Sequence, residues 1–194
     1  MKYVNSFSRT ERNERRKVSG VSLLELLIVI TIGSILFSVG IPSYRSVTNS
    51  NRIAAEVNGL LGDMQYARAE AIRRGQTVTV CASTDGASCS NATAWQNGWL
   101  VFSNPNGDTT VDPGDTVLRV QVAFSGTDTF DASNGVGVVT FNREGFAVGV
   151  ANGALITLHD ATSTSAWTRC LAITRIGVMA TQIYNNTTNG FTCL

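Results

Sequence analysis

Residues 21–41 form an apolar run, VSLLELLIVITIGSILFSVGI, in which Glu25 is the single charged side chain. At about 1.5 Å per residue, a helix of this length covers the roughly 30 Å hydrocarbon core of a bilayer. A helix that is apolar on all faces belongs in lipid or among other helices. The run therefore predicts a membrane-spanning helix near the start of the chain.

The charge distribution predicts how this helix is oriented. Residues 1–20 carry six basic and two acidic side chains, a net charge of +4, and the total of +1 leaves −3 for residues 21–194. By the positive-inside rule, the N-terminus is cytoplasmic and the remainder lies across the membrane. No lysine follows Lys17, and the acidic balance argues against a basic nucleic-acid surface.

After Pro42 the pattern changes to an amphipathic helix. Apolar residues recur at spacings of three and four, which places them on one face, and Gly75 is a stop signal directly after Arg73 and Arg74. We expect Pro42 to bend the helix. The members of the apolar stripe are Ile53, Val57, Leu60, Met64, Ala67 and Ala71.

From Gln76 onward, short β-rich runs alternate with Gly, Asn and Asp turns. They predict an antiparallel sheet covered on one face by the helix stripe, an α+β fold. The predicted strands are residues 77–82, 99–103, 117–124, 137–142, 154–158, 169–174 and 177–183.

Four cysteines follow the apolar run, as expected for a domain in an oxidising compartment. Two disulfides allow three connectivities, and we favour the pairs that are neighbours in sequence, while four buried thiols are the alternative. The favoured pairs are Cys81 with Cys89 and Cys170 with Cys193.

The apolar run and its flanks carry a signal. Lys17-Val-Ser-Gly20 followed by Val21-Ser-Leu-Leu-Glu25 resembles the type III signal of type IV pilins and pseudopilins. The resemblance implies that a prepilin peptidase cleaves after Gly20 and that Val21 is N-methylated. The usual first residue is phenylalanine, so Val21 departs from the pattern. Glu25 and Pro42 fall at mature positions 5 and 22, where this family carries a glutamate and a helix-bending proline.

Glu25 is expected to act in assembly. A carboxylate within a membrane helix costs roughly 2.5–3.5 kcal/mol at mid-membrane, so it calls for a partner. The resemblance implies that the terminal amine of a neighbouring subunit supplies it, which selects the correct register. The alternative is an ordinary signal peptide cleaved after Ser38-Val39-Gly40.

A second block narrows the resemblance. Residues 65–75, QYARAEAIRRG, lead into the strand TVTVC, and residues 98–102 read GWLVF. Both are similar to the FimT/GspH group of minor pilins and pseudopilins, over most of residues 20–175. The implied parts are a cleaved cytoplasmic leader (1–20), a transmembrane assembly helix (21–41), its amphipathic second half (42–75) and a periplasmic β-rich head (76–194).

The resemblance implies a structural subunit and not an enzyme. We expect a single-pass inner-membrane protein that enters a filament through its N-terminal helix, with other pilins, the prepilin peptidase and the assembly platform as partners. A minor pilin that initiates or caps type IV pilus assembly is the first choice. The alternatives are a GspH-type pseudopilin in type II secretion and a pilus-associated DNA receptor. DNA receptors in the group use a Gly-Arg-x-Arg motif, and here Gly177 is followed by Val178 and Met179.

No cofactor is expected, although one loop has the spacing of calcium ligands. Residues 104–115 place oxygen-bearing side chains at alternate positions, as in an EF-hand loop. Thr109 stands where that motif requires glycine, and the last ligand position carries an aspartate, so a polar turn is the simpler interpretation. The candidate ligands are Asn104, Asn106, Asp108, Asp112 and Asp115.

Overall fold

The computed structural model describes residues 20–194, so the proposed leader, apart from Gly20, lies outside the described residues. Helix α1 spans Leu23–Arg74 and contains Pro42. Gly75 ends it with φ at +67°, the left-handed conformation that favours glycine, and the Gly75 amide donates to the carbonyl of Ala71 at 3.0 Å. The chain divides into two compact units between Ser43 and Tyr44.

Eleven strands follow α1 in the described residues, interrupted by two short 3-10 turns at Trp95–Asn97 and Ser133–Gly135. The strands are β1 (Val78–Ala82), β2 (Gly98–Ser103), β3 (Thr116–Val122), β4 (Thr129–Ala132), β5 (Val138–Phe141), β6 (Ala147–Val148), β7 (Ala154–His159), β8 (Arg169–Ile173), β9 (Met179–Ile183), β10 (Thr187–Thr188) and β11 (Phe191–Thr192).

The strands form two antiparallel sheets and one small hairpin. The five-stranded sheet has the order β3-β2-β1-β5-β6, and the four-stranded sheet has the order β4-β7-β8-β9. Strands β10 and β11 pair with each other. The central strand β1 is buried along its whole length, because helix residues cover one face and loop residues cover the other.

The core lies where the second half of α1 meets both sheets. All six residues of the predicted stripe are at most 2% exposed, which confirms the helical periodicity found in the sequence. They pack with Val80, Val101 and Trp99 of the first sheet and with Ile156 and Leu171 of the second. A smaller cluster of Cys81, Leu100 and Phe102 lies on the opposite face of the first sheet.

The α+β architecture is confirmed, but the head contains two main sheets where a single sheet was predicted. Strands β4, β6, β10 and β11 were not predicted. The last predicted strand, 177–183, begins only at Met179. Gly177 instead belongs to a turn with φ at +77°, closed by its amide donating to the Thr174 carbonyl at 2.9 Å.

Candidate assembly site

The apolar N-terminal segment is exposed in the part of the chain that the structure describes. Gly20 and Val21 are exposed, α1 begins at Leu23, and residues 20–41 are exposed except for the half-buried Gly33. The most apolar 18-residue window of this helix has a mean hydropathy of 2.3, and none of that window is buried. Leucine and isoleucine side chains in such number are stable only when lipid or another protein covers them.

Glu25 lies in the first turn of α1, where a negative charge interacts favourably with the helix dipole. Its carboxylate forms no hydrogen bond or ion pair with any residue from 20 to 194. Three hydroxyl groups of the same segment are satisfied, since Thr31, Ser34 and Ser38 each donate to a helix carbonyl at 2.8 Å. Among residues 20–194, the Glu25 carboxylate is therefore left available to a partner.

The cysteines form two disulfides in the second unit. Cys81 pairs with Cys89 and Cys170 pairs with Cys193, with Cα–Cα distances of 5.5 and 5.7 Å. This is the connectivity favoured from the sequence. The first disulfide anchors the loop after β1, and the second joins β8 to the segment after β11.

The candidate calcium loop is held together by its own side chains. Asn104 is buried, and its amide group donates to Thr79 Oγ1 at 3.0 Å and to the carbonyl of Asp108. The side-chain Oδ1 of Asn104 accepts the Gly107 amide at 3.1 Å. Asn106 donates to the carboxylates of Asp108 and Asp112 at 2.8 and 3.3 Å. Asn104 thus organises the turn, whereas the carboxylates face solvent.

Asp115 closes the same loop. Its carboxylate accepts the backbone amide of Asp112 at 2.9 Å. Hydrogen bonding from the Thr110 amide lowers the pKa of the exposed Asp108 carboxyl below its ordinary value. Within residues 20–194 no group of three or more His, Cys, Asp or Glu side chains has the geometry to hold a metal ion.

The helix block Ala-Arg-Ala-Glu-Ala-Ile-Arg-Arg forms an ion-pair cluster. Arg73 donates to both oxygens of Glu70 at 2.9 and 2.6 Å, and Arg74 adds a 2.6 Å bond. These bonds, the Arg73 pair first, lower the pKa of Glu70 to about 2. Arg68 turns the other way and donates to the Gly177 carbonyl at 2.8 Å, which ties the helix to the β8–β9 turn.

Sequence analysis missed a polar cluster that joins α1 to the second sheet. Arg52 forms a bidentate ion pair with the buried Asp128. Glu56, one turn along the helix, has a buried Oε2 with no hydrogen-bond partner among the described residues. Burial, followed by the charge of Asp128, raises the pKa of Glu56 to about 7. The sequence holds only a weak signal for this cluster, namely that Arg52 and Glu56 each lie beside a residue of the apolar stripe.

A second missed cluster joins α1 to the first sheet. Asp63 accepts the indole N–H of Trp99 at 2.9 Å and a guanidinium N–H of Arg119 at 2.7 Å. The Arg119 guanidinium also lies 3.8 Å from the centre of the Tyr66 ring. These contacts fix the orientation of the sheet on the helix.

Comparison with known proteins places this arrangement in a family. Residues 56–177 match the family described as Type II transport protein GspH. Residues 15–41 match the Prokaryotic N-terminal methylation motif, a stretch that contains Gly20, Val21 and Glu25. The first match spans the second half of α1 and most of the sheet residues.

Individual relatives agree with the family matches. The chain is 33% identical over 98 residues to the Pilin-like protein PilA1 of Thermus thermophilus. The matched segment covers 50% of this chain and only 54% of that protein's length. The crystal structure of the type IV minor pilin FimU of Pseudomonas aeruginosa superposes with a TM-score of 0.55 at 20% identity. That superposition covers 68% of this chain and 89% of FimU and supports the fold. The chain therefore belongs to the GspH family of type IV pilin-like proteins.

Proposed function

We propose that this chain is a minor pilin that takes part in initiating or capping type IV pilus assembly. The observation that carries the proposal is the carboxylate of Glu25, which has no partner among residues 20–194 and lies in an otherwise apolar, exposed helix segment. A structural subunit needs such a helix to pack among its neighbours, and it needs no reaction centre. The likeness of the fold to a type IV minor pilin favours the pilus.

Processing at Gly20 would create the group that Glu25 requires. Cleavage by a prepilin peptidase leaves the α-amino group of Val21 at the new N-terminus, and N-methylation keeps it basic. Because no lysine lies between Lys17 and Leu194, this is the only amine in residues 21–194 after cleavage. It is therefore the natural partner for Glu25 of an adjacent subunit in a low-dielectric filament core.

The topology we propose is single-pass in the inner membrane. The +4 block of residues 1–20 holds the N-terminus in the cytoplasm, and the head lies in the periplasm. The two disulfides of the head support an oxidising location. From the membrane, the assembly platform would transfer the subunit to the filament.

A pseudopilin of type II secretion is the second candidate, and the description of the matched family favours it. Deleting the gene separates the two functions. Loss of piliation or twitching supports the pilus, whereas periplasmic retention of exported proteins supports secretion.

The assembly role is tested by moving one charge. We expect Glu25→Gln to reduce incorporation into filaments, and the double variant Glu25→Leu with Leu26→Glu to reduce it as strongly. The double variant keeps composition but turns the carboxylate about 100° around the helix. Ser22→Ala is the control. Normal incorporation of both Glu25 variants would refute the proposal.

The processing step has its own readout. Mass spectrometry of the mature protein should find an N-terminus at Val21 with one added methyl group. An N-terminus at Ile41 would instead indicate a cleaved secretory signal, and an intact leader in cells with active peptidase would exclude processing.

A further inference from the structure

Strand β3 is an open edge of the five-stranded sheet. It pairs with β2 on one side, and on the other side its main-chain groups have no main-chain partner among the described residues. On that side, the side chain of Gln121 donates to the carbonyl of Val122 at 3.0 Å. An unpaired edge of seven residues is a template for another strand.

The other edges of the two main sheets each have a neighbouring segment in contact with them. Outside β4, Ala94 bridges Asp131, and the Ala132 amide donates to the Thr93 carbonyl at 3.1 Å. Outside β6, which has two residues, the Ala147 amide donates to the Arg175 carbonyl at 2.9 Å.

Strand β9 adjoins the C-terminal hairpin of β10 and β11. Gln182 of β9 donates its side-chain amide to the Phe191 carbonyl at 3.4 Å, and the Cys170–Cys193 disulfide fastens the hairpin to the sheet. Among the edges that the structure describes, β3 therefore differs in having no neighbouring segment beside its outer side, although Arg119 ties the strand to α1 and the loop at Gly86 contacts Val120 on one face.

The exposed side chains of β3 suit a strand partner. Val120 and Val122 pair with Leu100 and Gly98 in regular register, and both are exposed at 47% and 72%. Val117, opposite Phe102, is exposed on the same face.

Lysine, proline, other charges and β-bulges protect many natural edge strands. Strand β3 contains no lysine or proline, and its one charged side chain, Arg119, is paired with Asp63 of α1. Its one register shift with β2 lies opposite Val101 and Phe102, before Val120 and Val122.

The negative charge next to β3 indicates which kind of partner strand would bind best. The loop leading into Thr116 carries Asp108, Asp112 and Asp115, and none of these forms an ion pair with a basic residue from 20 to 194. A strand that lies beside β3 and carries Lys or Arg near the Thr116 end would be complementary to this loop.

We propose that β3 accepts an extended segment of a neighbouring, different pilin-like subunit by strand addition. Main-chain hydrogen bonds to β3 supply the ladder, apolar β-branched residues cover Val120 and Val122, and basic residues meet the acidic loop. A second copy is a poorer occupant, because its other edges have neighbouring segments in contact with them and pairing β3 with β3 requires a two-fold axis. A filament repeats by a head-to-tail relation, which has no such axis. This inference rests on the proposed filament role.

Hydrogen exchange of the full-length chain tests the ladder directly. In assembled filaments, amides of residues 116–122 should exchange at least about tenfold more slowly than in the same chain dispersed in detergent. Equal exchange in the two states would overturn strand addition. Slowing that appears in the dispersed chain as its own concentration rises would indicate pairing of two copies and would also overturn it.

A charged substitution on the edge strand β3 tests in cells whether this edge is used in assembly. We expect Val122→Lys to lower incorporation into filaments about tenfold, and Val148→Lys on the edge strand β6 to change it less than about twofold. Val122→Thr, which retains strand preference, should restore incorporation, and unchanged thermal unfolding of each variant excludes a folding defect. Normal incorporation of Val122→Lys, alongside failure of the Glu25 variants, would refute strand addition and leave the filament role intact.

Discussion

Arg52 and Asp128, which are 76 positions apart in the chain, form a bidentate ion pair with both N···O distances at 2.7 Å. The Asp128 side chain is fully buried, whereas that of Arg52 is 42% exposed. The pair joins the middle of α1 to the residue that precedes β4. It therefore links the helix to the four-stranded sheet. The sequence had predicted only one sheet.

Removing the cation of this pair should destabilise the head. Arg52→Ala leaves the Asp128 carboxylate buried without its partner, and we expect the free energy of unfolding to fall by roughly 2–4 kcal/mol. Urea unfolding of the detergent-solubilised chain measures it. Arg143→Ala is the matched control, because the Arg143–Glu144 pair is at the surface and its loss should leave the midpoint unchanged. Equal effects of the two changes would contradict this assignment.

Glu56 should make the head less stable as the pH rises. Its folded-state pKa of about 7 lies above the ordinary glutamate value of 4.5, because the site is partly buried and Asp128 is close. The folded state therefore retains a proton that the unfolded chain releases between these two values. The contribution of this proton is complete below pH 4.5 and is lost as pH rises through about 7.

Glu56→Gln tests this dependence. Solvent screening of the partly exposed carboxyl limits the effect to about 1–2 kcal/mol, gained by the variant at pH 8 and absent at pH 4.5. Melting temperatures of both proteins across that range provide the measurement. A constant difference at every pH would show that Glu56 does not titrate in this range.

The two disulfides should differ in what their loss does. The Cys170–Cys193 pair closes a loop with a sequence separation of 23, against 8 for Cys81–Cys89. Chain entropy then predicts losses of roughly 3.4 and 2.6 kcal/mol on replacing each pair with serine. Denaturant unfolding of the two double variants, with the parent as reference, checks the order. The reverse order would mean that the loop after β1 contributes more than chain entropy.

The loop at 104–115 should depend on Asn104 and not on calcium. Asn104→Ala removes three internal hydrogen bonds from a buried position, and we expect a loss of about 2–3 kcal/mol that calcium does not restore. Asn106→Ala, at an exposed position, is the control and should have a small effect. Calorimetric titration of the full-length chain with calcium should give no binding heat; a saturable heat abolished by Asp112→Asn would reverse this interpretation.

The helix was predictable because its signals are local. A repeat of apolar residues every three or four positions fixes the buried face of α1, and Gly75 with its neighbouring arginines fixes the end. Strand pairing is decided by residues far apart in the chain, so the division into two sheets was not predictable. Strands of two residues, such as β6, are also too short to produce a pattern.

Other misses have particular causes. In β4, Phe130 is the only fully buried side chain between polar neighbours, so the segment resembles a loop. Strand β3 was predicted to continue to Phe124 but ends at Val122, because Phe124 donates its amide to the Gln96 carbonyl and its ring stacks on Phe130 at 5.0 Å. The buried Asp128 gave no sequence signal, since its partner Arg52 is 76 residues away.

In the proposed filament role, the exposed apolar surface of residues 21–41 also bears on the energetics of filament growth. A subunit that leaves lipid for a bundle of similar helices moves from one apolar environment to another. The hydrophobic effect therefore contributes little to the free energy of insertion or withdrawal. Insertion and withdrawal are then nearly balanced, and modest differences in helix packing and in the pairing of a single carboxylate decide which one prevails. Such a subunit is suited to a structure that is taken apart as readily as it is built.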